Sequence, residues 1–259
     1  MSEWRLVYDS VRGTSHEVDD LPCQDSSRVL THYTNSTSML ISVCADGAGS
    51  ASFSDQGSQI ACEKFAEHCQ SYFVDDDAIR GVTQEVVADW LVDIRSAIND
   101  RAEELETDTR QLATTLLGCV IGEQASFFLQ IGDGAMVYRS EDSFQFAFWP
   151  HTGEFANMTN FLTSDNFESQ VEWKIVEEQL NDLAAFTDGL ERLVLKFEDQ
   201  TIHEPAITPM LEAIRDSQPE EDFSEPLRGF LTSEGVNERT DDDKTLILAT
   251  RLNYGESDS

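Results

Sequence analysis

Basic residues are scarce in this chain. Seventeen Lys and Arg stand against 50 Asp and Glu, a formal net charge of −33. A field of that sign repels nucleic acid and anionic membrane surfaces, and it repels free anionic substrates unless a cation or an arginine reverses it locally. Most of these acids read as a solvated surface. Cysteine is also thin: Cys23, Cys44, Cys62, Cys69 and Cys119, an odd count with no C-x-x-C spacing. That excludes a disulfide framework and a zinc ribbon and points to reduced thiols in a cytoplasmic protein. Cys62 and Cys69 lie two turns apart on one face of a helical stretch, where core packing is the simplest account. No apolar run approaches the ~20 residues that span a bilayer. Met1–Ser10 lacks the basic and apolar regions of a signal peptide, so no membrane association is expected. Long Pro-, Gly- or Ser-rich linkers and internal repeats are missing too, which leaves a single domain over 1–259, with a core of about 4–252 and a frayed tail at 255–259.

What is present suffices for a large core: 40% of the 259 residues are hydrophobic and 9% aromatic. Trp4–Val11 reads as a strand, Gly13–Ser27 as a polar loop, and Ser38–Ala45 as a buried strand. Two long helical patterns follow, Asp55–Val74 and Thr83–Leu105, the second with Thr83 as N-cap. Leu112–Ile121 and Ala125–Ile131 form a hairpin, with strands at Ala135–Arg139 and Ser143–Trp149. His151–Ser169 reads as a mobile loop enclosing a short Asn160–Thr163 strand. Asp182–Thr187 is a strand, Gly189–Lys196 helical, Pro205–Ser217 and Phe223–Leu231 helices, and Thr245–Leu252 a closing strand. Consecutive helices followed by antiparallel strands argue for an α+β layered domain rather than a doubly wound fold.

Four acidic motifs stand where apolar strands end: Asp46-Gly47-Ala48-Gly49-Ser50, Ile131-Gly132-Asp133-Gly134, Thr187-Asp188-Gly189 and Asp241-Asp242-Asp243-Lys244-Thr245. A carboxylate beside buried chain is costly unless a cation or hydrogen bonds compensate it. Convergent aspartates with few His or Cys suit a hard, oxygen-seeking ion, Mg²⁺ or Mn²⁺. Each Asp-Gly alone is a common turn signal; the order of the set carries the weight.

With Gln24-Asp25 at the front and Thr114-Thr115-Leu116-Leu117-Gly118 between, that order resembles the metal-dependent protein phosphatases of the 2C type. It is closest to their compact bacterial branch, and the likeness runs from about Arg12 to Leu252. The resemblance implies a four-layer α-β-β-α sandwich, two central antiparallel sheets flanked by helices, with two metal ions in a cleft at one end. It implies that Asp46 bridges the ions, that the Gly47 carbonyl binds one, and that Asp188 and Asp242 hold the other. Asp133 would share a third, weaker position with Asp188, and Asp25 would orient water. Asp241 and Asp243 flank Asp242; the Asp-Asp-x-Thr pattern favours Asp242.

The implied activity is hydrolysis of phosphoserine and phosphothreonine in proteins, the products of a partner kinase. Two adjacent cations ease deprotonation of a shared water and neutralise phosphoryl charge, so no Cys or Ser nucleophile is required. Two departures matter. Many members carry a His as general acid where this chain has Ala48. Many also carry an Arg before the acidic loop motif, and here either Arg12 or His16 stands available to contact phosphate. The Ala48 substitution motivates an alternative, a catalytically impaired regulator that binds metal or phosphoprotein. An acidic mimic of DNA would rest on charge alone.

Overall fold

A computed structural model describes residues 3–34, 38–141, 143–150, 159–218 and 221–252. Two five-stranded antiparallel sheets form its centre. The first runs β1 (Glu3–Val11), β12 (Lys244–Leu252), β9 (Asp182–Phe186), β6 (Ala135–Arg139), β7 (Phe144–Phe146). The second runs β2 (Ser26–Tyr33), β3 (Ser38–Ala45), β4 (Leu116–Ile121), β5 (Ser126–Ile131), β8 (Glu172–Val176). A two-stranded ribbon, β10 (Leu195–Lys196) with β11 (Thr201–Ile202), is hydrogen-bonded to neither.

The central strands β3, β4, β5 and β9 are buried at every position. Being covered on both faces, they read as continuous apolar runs rather than as alternating ones. Alternation along β3 sends Leu40 and Cys44 between the sheets, against Leu117, Phe128, Met136, Leu183 and Ile247. Met39, Ile41 and Val43 face the other way, onto α2 (Ser54–Tyr72) and α4 (Gln84–Glu104). Phe73, Trp90 and Phe127 meet there with ring centroids 5.7–6.0 Å apart, two of the three pairs edge-on. Cys62 and Cys69 belong to this cluster, and all five thiols are free.

On the far side, Leu246 and Leu248 of β12 pack with Leu211 of α6 (Thr208–Asp216) and Leu227 of α7 (Ser224–Leu231). The buried Asp182 carboxylate ties α6 to the sheet, accepting from Arg139 Nε at 2.6 Å and Arg215 Nη2 at 2.5 Å. Helices, sheet, sheet and helices thus stack in the four layers expected.

Several short elements differ from the sequence reading. The stretch read as a loop from Gly13 to Ser27 holds α1 (Thr14–Asp19) and the start of β2. The edge strands β2 and β8 were missed because water wets them: only Val29 of β2 is buried, and no residue of β8 is. The strand expected from Leu112 begins at Leu116, after a 3-10 turn over Thr109–Leu112. Asn160–Thr163 is not a strand; its Leu162 N–H donates to the Thr114 carbonyl in a turn. Gly189–Lys196 is not one helix but a 3-10 turn (Asp188–Leu190), the single-turn α5 (Glu191–Val194) and β10. Two further short helices, α3 (Asp76–Arg80) and α8 (Glu234–Asn237), carried no periodic signal. The expected loop lies outside the described residues over 151–158, as does the tail beyond 252.

Candidate metal centre

Strand register delivers the acidic motifs to one end of the sandwich. Ala45 at the end of β3 pairs with Ser26, which sets Asp25 beside Asp46. Ile131 at the end of β5 pairs with Leu116, next to Thr115. Phe186 at the end of β9 lies between Ala135 and Leu246, which brings the Asp133 turn, Asp188 and the 241–243 segment together. The β5–β6 turn is possible because Gly132 (φ 102°) and Gly134 (φ 87°) adopt backbone angles that L side chains avoid. A Cβ at Gly134 would also stand 2.7 Å from the Phe186 carbonyl.

Asp46 is fixed through its backbone. Its N–H donates to Thr115 Oγ1 (2.9 Å), and its carbonyl accepts from Thr115 N (2.8 Å) and Thr114 Oγ1 (3.1 Å). Gly47 N–H donates to the Gln24 carbonyl (3.2 Å). The side chain is thereby left to face Asp133 and Asp188; one carboxylate oxygen from each of the three lies within 4.8 Å of the others. Asp133 Oδ2 accepts from Thr159 Oγ1 (2.6 Å), while its Oδ1 is buried without a hydrogen-bond partner among the described residues. Asp188 opens the 3-10 turn that precedes α5, so it is not the cap of a long helix.

Burial and mutual repulsion disfavour the charged forms here. Burial pushes the Asp46 carboxyl well above the usual range, and Asp25, Asp188, Asp133 and Asp242 push the same way. Asp188 is raised to about 8, first by burial and then by Asp133 and Asp242. Asp25, 6% exposed, is raised to about 7 by burial, against hydrogen bonds to its Oδ2 from Thr245 Oγ1 (2.7 Å) and Thr187 Oγ1 (2.8 Å). Its Oδ1 has no partner among the described residues. An Asx-turn role for Asp25 is therefore not what the fold uses. Glu191 joins the rim, accepting from Gly134 N (3.1 Å) and raised to about 7, mainly by burial.

Asp242 lies outside the three-carboxylate cluster but acts electrostatically on Asp25, Asp46 and Asp188. It is exposed, whereas Asp243 is buried and engaged: its oxygens accept from Gly13 N (2.6 Å) and Gln24 N (2.5 Å), and Oδ2 lies 2.9 Å from His16 Nδ1. Of the three consecutive aspartates, Asp242 is thus the one near the cluster with a carboxylate to spare. Arg12 turns its guanidinium to the Leu21 carbonyl (3.0 Å), whereas His16 is buried and its Nε2 faces Gly49.

Sequence reasoning missed Thr187, Thr245 and Glu191. Both threonines stand inside the acidic motifs, which was the available signal; Glu191 follows Asp188 by three residues. The donor set is all oxygen, its carboxylates repel one another, and two buried oxygens lack partners. That chemistry fits a hard divalent cation.

Comparison with known proteins agrees. The family described as protein phosphatase 2C matches residues 12–232. The chain is 36% identical over 249 residues to serine/threonine-protein phosphatase 3 of Escherichia coli (strain K12), covering 95% of this chain and 98% of that protein. Among solved structures it resembles the catalytic domain of the phosphatase PstP in complex with two manganese ions (TM-score 0.61, 16% identity, covering 98% of this chain and 100% of that one). It also resembles the phosphatase Stp1 of Staphylococcus aureus (TM-score 0.61, 15% identity, covering 98% and 96%). The chain belongs to the protein phosphatase 2C family.

Proposed function

We propose that this protein is a Mg²⁺- or Mn²⁺-dependent phosphatase of phosphoserine and phosphothreonine in proteins. The observation that carries the reading is the convergence of Asp46, Asp133 and Asp188 within 4.8 Å, with other carboxylates as the main charges acting on Asp46. Two ions would be held by Asp46, the Gly47 carbonyl, Asp188 and Asp242, with Asp133 completing a third position. When bound, such ions supply an activated water and positive charge against the phosphoryl oxygens.

This chain's residues do the positioning. The Thr115 and Gln24 contacts hold the Asp46-Gly47 peptide rigid. Thr187 and Thr245 fix Asp25 through Oδ2 and leave Oδ1 without a partner among the described residues, so that it could orient a water. Rigid carboxylates on strand ends need little reorganisation as charge develops, which is the main source of rate in phosphoryl transfer.

The −33 net charge favours phosphoproteins with basic flanks over acidic ones. The cognate substrate would be the product of a Ser/Thr kinase in the same compartment, and five free thiols suit the cytoplasm. Nucleic acid is not expected as a partner. No described helix is long and apolar enough to cross a membrane.

Hydrolysis of p-nitrophenyl phosphate with Mn²⁺, Mg²⁺ or EDTA tests the reading. Turnover with either ion, abolished by EDTA and by Asp188→Asn, is the expected result. A folded protein inactive under every metal would refute it.

A further inference from the structure

We propose that His16, held by Asp243, is the acid that protonates the departing serine or threonine oxygen. The inference rests on the phosphatase reading and assigns a step which that reading leaves open. An alkoxide is a poor leaving group at neutral pH, so breaking its P–O bond calls for a positioned proton donor. The segment after Asp46 supplies none among its side chains: Gly47, Ala48, Gly49, Ser50 and Ala51 contain no group that titrates near neutrality. The clustered carboxylates would be committed to the cations, while Asp25 is held by the Thr187 and Thr245 hydroxyls and Glu191 by the Gly134 N–H.

His16 is placed to fill the gap. It projects from α1, 8% exposed, with Nδ1 2.9 Å from Asp243 Oδ2. A methyl group at Gly49, three residues beyond Asp46, would stand 4.0 Å from His16 Nε2. Nδ1 therefore lies within ion-pair distance of a fixed carboxylate, without hydrogen-bond alignment, and Nε2 faces the loop that carries Asp46. The Asp243 carboxylate beside Nδ1 limits how the ring can turn, which leaves Nε2 toward the loop where a proton donor is needed.

The mount is rigid. Asp243 is held by the N–H groups of Gly13 and Gln24, and α1 is pinned by Ser15, whose N–H (2.9 Å) and Oγ (2.7 Å) both donate to the Asp241 carbonyl. The other described histidines are engaged elsewhere: His32 contacts the Phe73 carbonyl, His68 pairs with Asp93 and stacks on Trp90, and His203 precedes a 3-10 turn beside β11.

The step balances with water as the only co-reactant. Oxygen of water bonds to phosphorus as the P–O bond to the side chain breaks. That electron pair stays on the leaving oxygen, which takes the Nε2 proton, and the proton lost by water restores the imidazolium through solvent. The products are the free hydroxyl amino acid and inorganic phosphate.

The test compares leaving groups. p-Nitrophenolate departs without a proton, whereas threonine alkoxide does not. In His16→Asn, whose amide can still reach Asp243, kcat on a phosphothreonine peptide should fall ~10²–10⁴-fold. On p-nitrophenyl phosphate the fall should be at least tenfold smaller, and the dependence of rate on leaving-group pKa across aryl phosphates should steepen. His16→Gln gives a second variant, and thermal melts confirm that both fold. In the metal-free protein, ¹⁵N-histidine NMR should find the Nδ1 proton of His16 facing Asp243 and displaced in Asp243→Asn. Equal losses on both substrates, an unchanged peptide rate, or a neutral His16 bare at Nδ1 would overturn the proposal while leaving the phosphatase reading intact. Wild type inactive on both substrates would remove that reading and the proposal with it.

Discussion

Replacing Asp46 by Asn should make the metal-free protein more stable while it abolishes activity. The three clustered carboxylates approach within 4.8 Å of one another. At an effective dielectric constant of about 20, two unit charges at that distance repel by ~3.5 kcal/mol. Asp46 takes part in two of the three pairs, so the unscreened relief from these pairs is about 7 kcal/mol. All three keep some exposure, so water screens part of the repulsion, and a retained proton removes more of it, which leaves about 1–3 kcal/mol. For a chain of this size that is a rise of ~2–12 °C in Tm. With Mn²⁺ the gap should close or reverse. Wild type at a hundredfold excess over Kd gains ~2.7 kcal/mol, about 5–11 °C, and the variant gains little. Differential scanning fluorimetry of both proteins in EDTA and in Mn²⁺ measures all four values. A variant less stable than wild type in EDTA, yet shifted equally by Mn²⁺, would refute the claim that Asp46 is a cation ligand in a repulsive cluster.

Three further outcomes follow from the same geometry. Asp25 and Asp188 have folded-state values near 7 and 8, above the usual carboxylate value, so the folded metal-free protein binds protons more tightly than the unfolded chain. Its stability should be greatest below about pH 4 as far as these groups contribute and be lost as pH rises through 7–8; Tm in EDTA that climbs from pH 5 to 8, after correction with a double Asn variant, would contradict the sign. Asp182→Asn leaves Arg139 and Arg215 around a neutral amide in a buried position and should cost about 3–5 kcal/mol, read as a lower denaturation midpoint in urea; a midpoint unchanged from wild type would show the ion triad to be dispensable. Gly134→Ala forces a side chain into φ 87° and against the Phe186 carbonyl, and should cost about 1–3 kcal/mol while weakening Mn²⁺ affinity through displacement of Asp133; unaltered affinity by calorimetry would separate Asp133 from the metal positions.

The central strands were legible because both of their faces are buried, so Ser38–Ala45 and Asp182–Phe186 appear as plain apolar runs. The long helices were legible because each buries one face, and Thr83 caps α4 as its residue type suggests, accepting from Val86 N. β2 and β8 were not, since each is an edge strand with only two or three apolar residues, Val29 and Leu30 in β2 and Trp173, Ile175 and Val176 in β8, packed on the core. At the site, Asp46, Asp133 and Asp188 could be named because each follows a buried strand. The Asp-Asp-x-Thr pattern favoured Asp242, but the anchoring role of Asp243 could not be read from adjacent identical residues. It depends on Gly13 and Gln24 N–H groups that arrive from more than 200 residues away in sequence. The same distance hid the pairing of His16 with Asp243.

The most direct test of the central claim is release of phosphate from a basic phosphothreonine peptide by protein stripped with EDTA and then titrated with Mn²⁺ or Mg²⁺, for wild type and Asp46→Asn. Wild type should show no turnover without metal and saturable turnover on its return, and the variant none at any concentration. Turnover in EDTA, or equal turnover by Asp46→Asn, would contradict it.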